Sequence, residues 1–143
     1  MVAPVRILVV DDEVVIARLL TSVLKGEGYE AEYRTNGETA LEELRRTDYD
    51  LLVTDLRMPG MDGMRLIQEA RDVNPDVDAV VVTAYSSADT AISALRQGVA
   101  DYISKPFSVE DFRSVISKAL KARKKRLKRD REVEDLSAQV ESA

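Results

Sequence analysis

The chain has 143 residues and a formal net charge of -5, and it contains neither cysteine nor histidine. These two absences exclude disulfides, thiolate or histidine metal sites, and catalytic pairs that depend on cysteine or histidine. No apolar run approaches the ~20 residues of a membrane span, and no signal segment opens the sequence. We therefore expect a cytoplasmic protein with a single domain-sized core and no contact with a membrane.

Short apolar strands alternate with amphipathic helices along most of the chain. This alternation predicts a parallel sheet with helices on both faces, and for five strands the flavodoxin-like (βα)5 fold with strand order 2-1-3-4-5 is the commonest arrangement. The predicted strands cover residues 5–10, 29–33, 51–54, 79–83 and 101–104. The predicted helices cover residues 13–25, 64–73, 87–97 and 109 to about 140, and a further helix passes through Leu41 and Leu44 after a turn at Asn36 and Gly37.

Charged residues follow three of these strands at the point where each one ends. Asp11 and Asp12 follow the first strand, Asp55 the third and Lys105 the fifth. Because the carboxyl ends of parallel strands share one edge of a sheet, we expect these side chains to lie together. Carboxylates of this kind hold magnesium, which pairs naturally with phosphate. Taken alone, the first two aspartates could instead cap the following helix.

The last helix is predicted to continue beyond the core because residues 109–140 contain no glycine or proline. Phe112 and Ile116 belong to an apolar stripe, whereas nine of the fourteen residues between 118 and 131 are basic. We therefore divide the chain into a domain at residues 4–122 and a charged helical linker at 123–143. The linker's last apolar residues have the 3–4 spacing with which a coiled coil could begin. A solvated linker, a dimerising linker and nucleic-acid contact all remain open.

Four segments together resemble the receiver domain of two-component response regulators. They are residues 9–13 (VVDDE), 54–63 (TDLRMPGMDG), 82–85 (VTAY) and 101–107 (DYISKPF), each at the end of a predicted strand. The resemblance extends over roughly residues 4 to 122, and no residue at the key positions departs from the family pattern.

The resemblance implies a phosphoryl acceptor and a metal site. Asp55 corresponds to the aspartate that accepts a phosphoryl group from the histidine of a sensor kinase. Asp11, Asp12, the Asp55 carboxylate and the backbone carbonyl of Arg57 would bind Mg²⁺ or Mn²⁺. The cation would offset the repulsion between the carboxylates and the incoming phosphoryl group.

The resemblance also implies how the phosphoryl group changes the protein. Lys105 and the Thr83 hydroxyl would contact the phosphoryl oxygens, and Tyr102 would turn inward as Thr83 moves. Arg57 and Tyr85, each two residues after a site residue, would influence how fast water removes the phosphoryl group. The residues expected to support the site are Pro106, which resembles the cis-proline of the family, Ala84 and Tyr85.

Residues 83–91 (TAYSSADTA) and 98–102 (GVADY) are most similar to receivers of the NtrC and DctD type, which belong to sigma-54-dependent transcription activators. This implies a homodimer formed through the fourth helix, fifth strand and fifth helix. DNA would be contacted only through an output domain that this sequence does not contain. We expect an excised receiver with its linker, and a stand-alone regulator is the alternative. The kinase, the stimulus, the target genes and the sign of regulation are not specified by the sequence.

A second class of protein also uses an aspartate nucleophile at a strand end, namely the magnesium-dependent phosphatases of the haloacid-dehalogenase type. In that class the nucleophile follows the first strand, and a second aspartate comes two residues later. Here the first strand is followed by Asp11, Asp12 and Glu13, which is the wrong spacing. We therefore expect a signalling switch with at most slow self-dephosphorylation, and not an enzyme.

Overall fold

A five-stranded parallel sheet forms the centre of the computed structural model, which describes residues 3–85 and 87–142. The strands lie in the order β2-β1-β3-β4-β5, which confirms the predicted flavodoxin-like topology. The strands are β1 (Arg6–Val10), β2 (Glu30–Arg34), β3 (Leu51–Thr54), β4 (Asp78–Thr83) and β5 (Asp101–Ser104). The helices are α1 (Val14–Gly26), α2 (Gly37–Arg46), α3 (Gly63–Val73), α4 (Ala88–Arg96) and α5 (Val109–Ser142).

Two apolar clusters cover the two faces of the sheet. On one face, Leu52 of β3 packs in the cluster that includes Leu66 of α3. On the other face, Val53 packs in the cluster that includes Leu20 of α1 and Phe112 of α5. All residues of β3 and β4 are buried, which explains why these strands read as continuous apolar runs and not as alternating ones.

Polar side chains begin most of the helices, but not α1. At the start of α5, Ser108 Oγ accepts a hydrogen bond from the Asp111 amide at 3.0 Å. At α1 the N-cap position falls on Glu13, and no side chain caps the helix. Instead, Asp11 Oδ1 accepts the Glu13 amide at 2.9 Å. The alternative that the two aspartates serve only to cap this helix is therefore not supported, and the Asp12 carboxylate is exposed at the sheet edge.

Helix α5 is continuous to Ser142, slightly further than the predicted end near residue 140. Phe112 and Ile116 are buried against the sheet, as their apolar spacing predicted. The linker segment exposes Val133, Leu136 and Val140, and none of these three is less than 60% exposed. No helix in the described part of the chain is both long enough and apolar enough to cross a membrane.

Two arginines at the beginning of the linker form ion pairs with aspartates at the amino-terminal edge of the sheet. Arg123 forms an ion pair with Asp50, just before β3, at 3.1 Å. Arg126 forms an ion pair with Asp78, the first residue of β4, at 2.5 Å. These contacts fix the path of α5 for at least one turn beyond residue 122, so part of the basic segment is engaged within the chain.

Candidate phosphoryl and metal site

The three predicted aspartates meet at the carboxyl edge of the sheet. In the parallel register of β1 and β3, Val10 lies opposite Thr54, so Asp11 and Asp55 follow at equivalent positions. Asp11 and Asp55 are buried, whereas Asp12 is exposed. Each of the three carboxylates offers an oxygen, and these oxygens all lie within 4.8 Å of one another. Oxygen ligands in this number and spacing fit a hard divalent cation.

Lys105 bridges the two buried carboxylates. Its Nζ donates to Asp11 Oδ2 at 2.7 Å and to Asp55 Oδ2 at 3.0 Å. The lysine amide donates to the Thr83 carbonyl at 2.9 Å, which ties the end of β5 to the end of β4. The bond between Lys105 and Pro106 is cis, as the resemblance implied. One ammonium group thus faces three carboxylates, and the site keeps a surplus of negative charge.

Burial and these ion pairs shift the pKa values of the site. Burial raises the pKa of Asp11, and the hydrogen bonds from Lys105 and the Glu13 amide oppose this effect without cancelling it. Burial would lower the pKa of Lys105, but its hydrogen bonds to Asp11 and Asp55 and their charges more than offset this, so its pKa lies above the ordinary value. The lysine is therefore charged at neutral pH, while ionised Asp11 lies in an unfavourable environment.

Thr83 and Tyr102 are linked through the backbone of Tyr85. The Thr83 side chain is fully buried at the end of β4, and its Oγ1 accepts the Tyr85 amide at 3.2 Å. Because a hydroxyl that accepts a hydrogen bond can still donate its own proton, Thr83 can also donate to an anion. The Tyr102 hydroxyl donates to the Tyr85 carbonyl at 2.6 Å. Burial raises the pKa of Tyr102, and the charge of Asp55 raises it further.

Arg57 and Tyr85, which were expected to flank the site, contact each other. The Arg57 guanidinium lies 4.1 Å from the centre of the Tyr85 ring. The Arg57 amide also approaches Asp55 Oδ1 at 3.4 Å, so this stacked pair lies beside the predicted acceptor. Ala84, the remaining predicted residue, lies beside Lys105 and Pro106 in an apolar groove between α1 and the start of α5.

Two residues that shape the site were not identified from the sequence. A Cβ atom at Gly63 would lie 2.0 Å from the Asp55 carbonyl oxygen, so only glycine allows α3 to begin this close to the acceptor. The one sequence signal for this close approach is a glycine at the first position of a helix. Glu38 of α2 accepts the Met61 amide of the loop between β3 and α3, a contact for which the sequence carries no signal.

Comparisons with known proteins agree with this geometry. Residues 7–117 match the response regulator receiver domain family. The transcriptional regulatory protein ZraR of Klebsiella oxytoca is 40% identical over 116 residues, which are 81% of this chain and 26% of ZraR. The chain thus spans about a quarter of the length of that relative.

Solved structures show the same fold. The beryllofluoride-activated NtrC4 receiver domain dimer has a TM-score of 0.77 and 34% identity, over 82% of this chain and 98% of that one. A response regulator from Burkholderia pseudomallei, determined with a phosphorylated aspartic acid, a calcium ion and citrate, has a TM-score of 0.73 and 28% identity, over 85% of this chain and 72% of that one. The expected resemblance to NtrC-type receivers is confirmed. This chain belongs to the response regulator receiver domain family.

Proposed function

We propose that this domain is a phosphorylatable signalling switch in which Asp55 accepts a phosphoryl group from the histidine of a sensor kinase. The observation that carries the proposal is the bridge from Lys105 to Asp55 and Asp11 beside a third carboxylate. In the reaction, an Asp55 carboxylate oxygen forms a bond to phosphorus while the phosphorus–nitrogen bond to the histidine breaks. The electron pair of that bond remains on the imidazole of the kinase.

The residues present fit a divalent cation, Mg²⁺ or Mn²⁺. Asp11, Asp12, Asp55 and the backbone carbonyl of Arg57 would hold it, and the clustered oxygens of the three carboxylates support this assignment. When bound, the cation supplies positive charge that offsets the repulsion between the carboxylates and the phosphoryl group. The phosphorylated aspartate and calcium ion of the Burkholderia pseudomallei regulator support the same pairing of acceptor and cation.

Lys105 would stabilise the phosphoryl group after transfer. Its ammonium already lies between Asp11 and Asp55, so a phosphoryl oxygen attached to Asp55 would come within its reach. The ammonium is a compact charge with several donors, which suits it to bind a carboxylate before the reaction and a phosphoryl oxygen afterwards. The Thr83 hydroxyl would donate to a second phosphoryl oxygen from the end of β4.

The switch would act through Thr83, Tyr85 and Tyr102. A movement of Thr83 toward the phosphoryl group pulls on the Tyr85 amide, and the Tyr85 carbonyl holds the Tyr102 hydroxyl. Helix α4 follows this segment, and among its nine residues only Ala94 is buried. A helix with so little buried surface can be repositioned by a coupling energy of the usual ~1–3 kcal/mol. The face made by α4, β5 and α5 would therefore change.

This change would control a homodimer and a downstream output. Ile92 and Leu95 are about half exposed on α4, which gives this face an apolar surface for a second copy. The NtrC4 receiver dimer supports such an assembly. By its similarity to NtrC-type receivers, the full protein would be a sigma-54-dependent activator that contacts DNA through its output domain. Transfer from the kinase would take place in the cytoplasm, and the domain itself would show only slow self-dephosphorylation.

The proposal is tested by intact-protein mass after incubation with acetyl phosphate and Mg²⁺. We expect one added phosphoryl group on the wild type and on the control Asp48→Asn, whose side chain is exposed and distant from the site. We expect none on Asp55→Asn, and none on the wild type when the cation is chelated. An equal adduct on Asp55→Asn would overturn the assignment of the acceptor.

A further inference from the structure

The tip of the loop between β3 and α3 forms a hydrogen bond with a side chain of another helix. The Met61 amide donates to Glu38 Oε1 at 3.0 Å, and Glu38 is the second residue of α2. The Met61 and Met58 side chains are buried in the core on the same face of the sheet. The loop is therefore bound to α2 through both its backbone and its apolar side chains.

Two glycines make room for this contact. A Cβ atom at Gly37 would lie 2.8 Å from the Met61 Cβ atom, so the helix could not approach the loop this closely with any other residue there. Gly60 has a φ of +77°, and a Cβ atom at this position would lie 2.6 Å from Glu38 Oε1. The backbone at Gly60 thus favours glycine for its conformation as well as for its space. Glycine at both positions therefore leaves room for Glu38 and Met61 to meet.

Other contacts of the loop connect the hydrogen bond between Glu38 and Met61 to the acceptor site. At its base, the Gly63 amide donates to the Leu56 carbonyl at 2.8 Å and closes the loop. Arg57 lies between the base and the tip, with its amide 3.4 Å from Asp55 Oδ1. The position of the Arg57 carbonyl therefore depends on how the loop is held at both ends. Glu38 binds the tip of the loop through the Met61 amide.

We propose that Glu38 is a positioning residue for the acceptor site: by accepting the Met61 amide, it holds the loop so that the Arg57 carbonyl is pre-organised to bind a divalent cation. This inference rests on the proposed function, because it requires the cation. The acceptor oxygen of Glu38, and not its charge, positions the loop. A role limited to the first turn of α2, where an acidic side chain favours the helix dipole, would leave the loop unaffected.

The test compares Glu38→Ala, Glu38→Gln and Glu42→Gln. Both glutamine variants remove one negative charge from α2, but Glu38→Gln keeps an oxygen that can accept the Met61 amide, and exposed Glu42 serves as the charge control. Magnesium affinity is measured by calorimetric titration, and hydrogen exchange of the Met61 amide by NMR. We expect Glu38→Ala to bind Mg²⁺ about five-fold more weakly than Glu38→Gln, the effect of one ordinary hydrogen bond. The Met61 amide should exchange faster only in Glu38→Ala.

Each other outcome overturns the inference. If Glu38→Ala and Glu38→Gln bind Mg²⁺ equally, the contact between Glu38 and the Met61 amide does not affect the cation site. This holds whether or not the Met61 amide exchanges faster. That result leaves the proposed function intact, because the wild type still binds the cation. If the wild type itself binds no Mg²⁺ and takes up no phosphoryl group, the proposed function fails and this inference fails with it.

Discussion

Arg126, which follows the predicted domain boundary at residue 122, forms an ion pair with Asp78 at the first residue of β4. Asp78 is only 8% exposed, although it opens a strand at the edge of the core. A buried carboxylate needs a partner, and this one lies in the segment that the sequence assigned to the linker. Helix α5 therefore extends from the carboxyl edge, where it follows Lys105, to a fixed attachment at the amino edge. A change at the acceptor site can reach the linker through one continuous helix.

Replacing Arg126 should destabilise the domain. In Arg126→Ala, Asp78 loses its partner, and we expect the free energy of unfolding to fall by ~1–2 kcal/mol because the arginine is partly solvated. Urea denaturation measures this change, and the slope of the transition should stay the same. Arg129→Ala, an exposed site on the same helix, is the control and should change stability by less than ~0.5 kcal/mol. Equal losses in both variants would show that the ion pair contributes nothing specific.

Removing the charge of Asp11 should stabilise the domain when no divalent cation is present. Folding raises the pKa of Asp11 above its ordinary value of 3.8. Such a group contributes most to the stability of the folded state below its ordinary pKa, and this stability is lost as the pH rises through the raised pKa. Asp11→Asn should therefore unfold at a higher urea concentration than the wild type at pH 7, with the difference vanishing below pH ~3. The same variant should lose most of the stabilisation by Mg²⁺. A wild type that is more stable than Asp11→Asn at pH 7 without the cation would contradict this reading.

Breaking the stack of Arg57 on Tyr85 should shorten the lifetime of the phosphoryl group. The two side chains contact each other beside Asp55, and their contact is of a kind usually worth ~0.5–1 kcal/mol, which corresponds to a two- to five-fold faster decay. The decay of the phosphorylated form is followed by intact mass in Arg57→Ala and Tyr85→Ala. Arg65→Ala, an exposed arginine on α3, is the control. Decay rates like that of the control in both variants would refute the influence of this pair on the loss of the phosphoryl group.

The Tyr102 hydroxyl should matter for the switch but not for phosphorylation. Tyr102→Phe keeps the ring and removes the hydrogen bond to the Tyr85 carbonyl. We expect Asp55 to be phosphorylated normally. The ratio of the dimerisation constants with and without beryllofluoride should be about five-fold smaller than in the wild type, which is the effect of one hydrogen bond. Sedimentation equilibrium provides both dimerisation constants. An unchanged ratio would show that the coupling does not pass through this hydroxyl.

The charged residues of the site could be placed from two local patterns, whereas the other site residues followed from the resemblance to the receiver family. Apolar runs locate the strands, and the shared edge of a parallel sheet brings Asp11, Asp55 and Lys105 together although many residues separate them. The start of β4 was placed one residue late, at Ala79, because a charged residue does not belong to an apolar run. Asp78 is accommodated there only because Arg126 reaches it from α5.

The contact that the sequence did not reveal joins a side chain to a backbone amide far away in the chain. Glu38 and Met61 are 23 residues apart, and neither lies on a periodic stripe that would indicate a common surface. A glutamate in the first turn of a helix also has an ordinary local explanation in the helix dipole, so its longer-range partner stays hidden. Such contacts become visible only when the whole chain is folded.

Locating the modified residue shows whether Asp55 is the phosphoryl acceptor. The protein is incubated with acetyl phosphate and Mg²⁺, treated with borohydride to reduce the acyl phosphate to an alcohol, and digested for peptide mass spectrometry. We expect residue 55 alone to be converted to homoserine, and we expect no conversion when the phosphoryl donor is omitted. Conversion at Asp11 or Asp12, or phosphorylated protein in which residue 55 is still aspartate after reduction, would contradict it.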